Sequence, residues 1–273
     1  MSNMETIISK LQRYDSFRWI DTKTGWNKLE KGGETVDNII EAIRKHKWET
    51  LETSSNDMSQ NDREKSLVTL VRNSQKSDKP PWFYRGEEAL ERLIYAFNSN
   101  YGYTYQFGCN DKELIDLVCP KIKPNILIEL KPWESDNSPM YGVVEILKNY
   151  HLYKNFVSNT PPITLILLAP LEYYEKYKDN RDVFLTLVSR INADVLKDGV
   201  QLKVQYIDVK ENDFLNCVKK LADSIQKWDP AEKGNTQYDK YVRIDLSSDE
   251  SKVYFDGPDG IKDKLMSCKF IDW

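Results

Sequence analysis

Hydrophobic and polar positions alternate along this chain with two different periods, and the change from one to the other marks the elements. After Gly33, the run Glu34–Leu51 sets Val36, Ile39, Ile40, Ile43 and Trp48 at near-helical spacing. Trp82–Asn98 places Leu90, Leu93, Ile94 and Phe97 on one helical face. Tyr103–Phe107 is rich in β-formers, and Glu113–Cys119 and Asn125–Lys131 have strand length and strand composition. The short connector Pro120–Pro124 between the last two suits an antiparallel hairpin. Pro139–Val157 carries Val143, Ile146, Leu147, Tyr150 and Tyr153 on one stripe and predicts a helix. Ile163–Ala169 is apolar throughout except Thr164, the pattern of a strand covered on both faces. Helices are predicted at Leu171–Lys178, Arg181–Leu196 and Asp213–Trp228, and a strand at Gln201–Val209. Two β-like pieces, Tyr241–Leu246 and Lys252–Phe255, flank a polar turn.

Residues 82–169 therefore run helix, strand, strand, strand, helix, strand. A strand, a crossover helix and a buried strand make a right-handed unit with parallel strands, so the sheet is expected to be mixed. Thr53–Lys65 is polar and loop-like, and Asn73–Pro81, closed by two prolines, is the strongest boundary signal. The expected organisation is a helical N-terminal extension over 1–80, an α/β core over 81–228, and a β-rich C-terminal extension over 229–273 packed on the core.

Composition narrows the class. The chain has 273 residues, of which 40 % are hydrophobic and 30 % charged, which excludes disorder throughout. No apolar run approaches the roughly 18 residues of a membrane span, and the first residues are too polar for a signal peptide. Cys109, Cys119, Cys217 and Cys268 form no CxxC pair and read as free thiols of a reducing compartment, so a cytoplasmic setting is expected. With only His46 and His151 available, any metal here would have oxygen ligands. The net charge of −4 means that affinity for a polyanion must come from local patches; Lys112, Lys121 and Lys123 are one.

The candidate chemistry lies on the hairpin. In Asn125–Lys131, Ile126, Ile128 and Leu130 share one face, and Asn125, Leu127, Glu129 and Lys131 the other. In the preceding strand Leu114, Asp116 and Val118 share a face, opposite Ile115, Leu117 and Cys119. Asp116 interrupts an apolar alternation, and a hairpin brings it near Glu129. Two carboxylates desolvated together repel, which favours a hard divalent cation between them. A lysine alongside can hold a metal-polarised water or neutralise developing charge. Such a set suits hydrolysis of a phosphodiester. Glu-x-Lys by itself is common and often only a surface ion pair worth under about 1 kcal/mol; its placement carries the argument.

Asp116 followed by Glu129-Leu130-Lys131, set in the α-β-β-β-α-β order of residues 82–169, resembles the PD-(D/E)xK nuclease superfamily. The resemblance covers about a third of the chain. It departs at one point, since Ile115 stands where the motif has proline. It implies an α/β protein with a restriction-endonuclease-like core and mixed sheet, and a metal-dependent nuclease, with DNA the favoured substrate, in restriction, defence or repair. Asp116 and Glu129 would bind Mg²⁺ with the Leu130 carbonyl, Mn²⁺ being able to substitute, and Lys131 would position the attacking water. Many such nucleases add a glutamate from the first helix. At about 100° per residue Glu88 points away from the core, whereas Glu87 and Glu91 flank the buried stripe. Glu91-Arg92, with Gly102-Tyr103 eleven and twelve residues on, resembles the Glu-Arg helix of resolvase-type members and favours Glu91 as catalytic and metal-binding residue over Glu87. Lys148, His151, Lys154 and Asn155 lie off the apolar stripe of the second helix, with Lys148 a candidate phosphate contact. A two-strand cut would call for a homodimer or sequential nicking. The alternative expectation is a catalytically inactive binding module on the same fold, favoured by the acidic pI of about 5.5. The sequence has no Gly-rich phosphate loop and no GxSxG elbow.

Overall fold

The computed structural model describes residues 33–46, 86–98, 101–108, 114–120, 124–154, 162–197, 199–226, 237–238, 242–245, 252–255 and 260–273. The polar stretch 53–65, the boundary at 73–81, and Cys109, Lys112, Lys121, Lys123 and Asn155 lie outside them. In chain order the elements are α1 (Gly33–Lys45), α2 (Gly86–Phe97), β1 (Thr104–Gly108), β2 (Leu114–Cys119), β3 (Asn125–Leu130), α3 (Pro139–Tyr153) and β4 (Ile163–Pro170). Then follow α4 (Leu171–Glu175), α5 (Arg181–Asp194), β5 (Val200–Ile207), α6 (Glu211–Gln226), β6 (Gln237–Tyr238), β7 (Val242–Asp245), β8 (Lys252–Phe255), α7 (Ile261–Leu265) and β9 (Ile271–Asp272).

The protein is α/β. A six-stranded sheet has the order β1-β2-β3-β4-β5-β9. β1, β2 and β3 are antiparallel neighbours, whereas β3, β4 and β5 run parallel, so the sheet is mixed as the sequence order predicts. The parallel pairs need crossovers, which α3 and α5 supply. β9 returns antiparallel to β5, and the Trp273 amide donates to the Val204 carbonyl at 3.0 Å. β6, β7 and β8 form a separate antiparallel sheet.

Alternation in the central strands explains the layers. Leu165 and Leu167 of β4 face one core with α1, α3, α4 and α5, while Ile166 and Leu168 face a second core with α2, α6 and α7. Leu90, Leu93 and Ile94 of α2 are fully buried in the second core against Leu117, Ile128 and Leu130. Each such side chain contributes roughly 1.5–3 kcal/mol by leaving water. On the other side Val36, Ile39, Ile40 and Ile43 of α1 are buried as their spacing predicts, with Trp48 outside the described residues, and Arg190 of α5 pairs with Asp37 of α1 at 2.9 Å.

One face assignment changes. Ile115 belongs to the core on the α3 side with Val118, not with Leu117 and Cys119. The β2–β3 ladder stops at Leu117↔Ile128, and beyond it the Leu130 amide is taken by the Asp116 carboxylate at 2.7 Å. A side chain replaces a ladder partner there, and strict alternation ends with the ladder.

Two further features fix chain segments at the two ends of the sheet, the first beside the start of β3 and the second beyond its end. Asn98 closes α2: its amide nitrogen donates to the Ile94 and Leu265 carbonyls, and its oxygen accepts from the Ser267 amide. Gly102 then turns the chain into β1 at φ 77°, a left-handed conformation that costs glycine little. The loop 131–138 is latched from α4 and the helical turn that follows it. The Lys176 ammonium donates to the Trp133 carbonyl, and the Tyr173 and Tyr177 hydroxyls donate to the Asn137 carbonyl at 2.7 and 3.3 Å.

Candidate active site

Continuing the β2–β3 register one step past Leu117↔Ile128 sets Asp116 opposite Glu129. The two strands part at this point, and the gap is polar. Asp116 is half-buried, Glu129 and Lys131 are buried, and Glu91 of α2 is buried as well. Charged side chains are almost never enclosed unless paired, so this gathering calls for an account of its partners.

Glu129 is held at both oxygens. Its Oε1 accepts from Lys131 Nζ at 2.7 Å and its Oε2 from Asn149 Nδ2 at 3.0 Å. Lys131 reaches a second carboxylate, Glu145 Oε2, at 2.8 Å. Asn149 and Glu145 sit one turn apart on α3, which crosses β3 on the face that carries Glu129. That helix starts at Ser138, whose hydroxyl accepts from the Tyr141 amide, with Pro139 in the first turn. Glu145 and Asn149 were not among the residues read from the sequence. The available signal was their i, i+4 spacing beside the apolar stripe, two polar positions on a helix otherwise buried along most of its length.

The Leu130 side chain lies in the α2-side core, and its amide fixes Asp116. Both α2 glutamates left open by the sequence act on the cluster. Glu91 is the strongest charged influence on Asp116, and Glu87 acts on Asp116 and on Lys131. Glu88 lies within 3.9 Å of Arg92 on the helix itself. A Cβ on Gly86 would come within 2.3 Å of the Glu134 carboxylate, the far end of an exposed side chain, which places the loop after β3 beside the start of α2.

The electrostatics are unbalanced toward negative. Burial pushes the Asp116 carboxyl well above the usual carboxylate range; Glu91 adds to this, and Lys131 opposes it. Glu129 is raised in the same way, by burial first and by Asp116 next, against the pull of Lys131. Burial alone would lower Lys131, but Glu129, Glu145, Asp116 and Glu87 outweigh it and hold the ammonium charged. Glu87 is raised too, through burial, with Lys131 opposing. Four carboxylates thus act on one ammonium, Glu129 buried, Asp116 and Glu145 half-buried and Glu87 at the exposed rim, and Glu91 acts on Asp116. Enclosed negative charge in that excess is relieved by protons or by an added cation.

Among the described residues no three His, Cys, Asp or Glu side chains converge as a ready metal cage. Mg²⁺ does not require one: it is bound through one or two carboxylates and completes its shell with water and phosphate oxygens. The all-oxygen donors of Asp116 and Glu129 fit such an ion.

The remaining candidates lie elsewhere on α3. His151 Nδ1 and Lys154 Nζ are 2.7 Å apart, and burial, then Lys154, His46 and Lys197, lower the imidazole to about 4. Lys148 is half-buried. Tyr173, Tyr174 and Tyr177 are buried packing residues, with Tyr174 stacked on Trp273 at 4.4 Å. No described helix is long and apolar enough to cross a membrane. Compared with known proteins, the chain matches no family model, no curated protein and no solved structure.

Proposed function

We propose that this chain is a divalent-cation-dependent nuclease that hydrolyses phosphodiester bonds, with DNA the favoured substrate, on a restriction-endonuclease-like core. The observation that carries the reading is the excess of carboxylates, half-buried Asp116 and buried Glu129 foremost, gathered around buried Lys131 where β2 and β3 part. The helix-strand-strand-strand-helix-strand order of α2, β1, β2, β3, α3 and β4 supports it.

In this reading Asp116 and Glu129, with the Leu130 carbonyl, would hold Mg²⁺ or Mn²⁺, and Glu91 or Glu87 would contribute from α2. The bound ion would supply charge for the phosphate oxygens and acidify a water. The Leu130 amide keeps one Asp116 oxygen turned toward β3. Asn149 orients Glu129 through Oε2. Lys131 stays protonated between two carboxylates, so it serves as a positioned cation for the attacking water and the developing charge, not as the base. Asp116 and Glu129, once charge-compensated, are the groups able to take up a proton.

The other reading, a binding module without catalysis, is favoured by the pairing of Lys131 with Glu129 and Glu145, two ion pairs of the kind a structural cluster would make. Incubation of the purified chain with plasmid DNA, linear DNA and RNA in Mg²⁺, Mn²⁺ or EDTA separates the two. Cleavage that needs the divalent ion is expected. Cleavage that persists in EDTA contradicts the metal reading, and no cleavage together with no cation binding supports the binding module.

A further inference from the structure

The pairing of Lys131 with two carboxylates raises a question that a single ion pair would not. Both oxygens of Glu129 are already engaged, one by Lys131 and one by Asn149. A dication arriving at Glu129 meets the Lys131 ammonium on Oε1, a like charge in an enclosed site. An ammonium with no other partner would then be left buried and unpaired, which is among the costlier outcomes for an interior charge. Glu145 removes that outcome: its Oε2 lies 2.8 Å from the same nitrogen, on a different element, and its side chain keeps 21 % exposure against 8 % for Glu129.

We propose that Glu145 is a positioning residue that receives Lys131 when a divalent cation takes Glu129, so that the lysine fills the cation's place in the empty site and moves one partner over in the loaded one. The inference rests on the metal reading above and adds to it a resident ammonium exchanged between two carboxylates. It concerns the ammonium as an ion, and no proton moves. The lysine stem need not refold, because the nitrogen that donates to Glu129 Oε1 already lies 2.8 Å from Glu145 Oε2, an ion pair whose oxygen has no aligned hydrogen bond yet and is open to receive one. The arrangement also gives selectivity against monovalent ions, which repay the displacement of Lys131 from Glu129 with half the charge.

The test is Mn²⁺ titration of the full chain by calorimetry at neutral pH, in a cycle of wild type, Glu145→Gln, Lys131→Met and the double variant. Glu145→Gln is expected to weaken Mn²⁺ binding roughly tenfold or more, the scale of one charge-assisted hydrogen bond. In the Lys131→Met background the same substitution should change affinity by less than about threefold, because there is no ammonium to receive. An equal loss in both backgrounds means that Glu145 acts only as a distant negative charge or as a direct ligand, and overturns the proposal. So does no loss in either. If wild type binds no divalent cation, the metal reading fails and this inference with it; if wild type binds and Glu145→Gln binds equally, this inference alone fails. A structure of wild type with Mn²⁺ gives a second readout that needs no lysine variant. Lys131 Nζ should stay on Glu145 and leave Glu129 Oε1, and a cation on Glu129 with Lys131 still joined to both carboxylates would refute the exchange.

Discussion

At the scale of single residues, the most informative group is Asp116. Its carboxyl is held above the ordinary range by burial and by Glu91, so folding disfavours its ionised form. That contribution to stability is complete below the unfolded value near 3.8 and is lost as pH rises through the higher folded value. Asp116→Asn cannot ionise, and its amide oxygen can still accept from the Leu130 amide. In EDTA the variant should therefore melt above wild type at pH 7–8, and the gap should close as pH is lowered toward 4. Parallel melting curves across that range would show that Asp116 carries no charge strain. His151 has the opposite sign. The unfolded imidazole takes a proton near 6.5 and the folded one near 4, so stability is complete above 6.5 and is lost as pH falls between those values. His151→Gln should lose less stability than wild type from pH 6.5 to 4. Equal losses would place the acid sensitivity elsewhere. The placement of Asp116 beside Glu129 was legible because a polar residue broke an apolar alternation. The partners that α3 supplies were not, since Glu145 reaches Lys131 and Asn149 reaches Glu129 only through the crossing of α3 over β3, and strand periodicity says nothing about which helix face lands there.

At the scale of elements, long periodic segments were legible, and so were the short strands β1, β7 and β8, the last two set off by a polar stretch between them. α2, α3, β4 and β5 each carry enough positions for a period to show, and the structure has each of them within a few residues of the expected bounds. The helix expected over Leu171–Lys178 is instead a helix of five residues, then a 3-10 turn at Lys178–Asn180, because the tyrosines there turn inward to pin the loop 131–138. β9 is two residues long, too short for alternation to register, yet it completes the edge of the sheet. Its neighbour Trp273 is nearly buried, stacks on Tyr174, packs against Phe184 and donates its amide to β5. Trp273→Ala should cost about 3–5 kcal/mol, the range for deleting a buried aromatic, read as a shift in the denaturant midpoint with an unchanged slope. A loss under about 1 kcal/mol would mean that this tail adds little to the fold. Because Tyr174 also donates to the Leu167 carbonyl and lies near Lys131, the same variant tests how far the sheet edge supports the site.

At the scale of the whole molecule, the charge pattern is the feature to explain. The chain is acidic overall, and the carboxylates that act on Lys131 outnumber it where β2 and β3 part, inside the sheet. A fold gains nothing from such an arrangement on its own, since apolar residues of similar volume would pack there without desolvating charge. A site that must hold a dication against a phosphate backbone has a use for it. The mixed sheet delivers the carboxylates from adjacent antiparallel strands, and the crossover helix delivers the anchor for the lysine. The most direct test is the initial rate of plasmid cleavage in Mg²⁺ by wild type and by Asp116→Asn, both shown to be folded by their melting transitions. The account predicts cleavage by wild type that EDTA abolishes and a fall of roughly 10²-fold or more in the variant. Equal rates for the two proteins would contradict it.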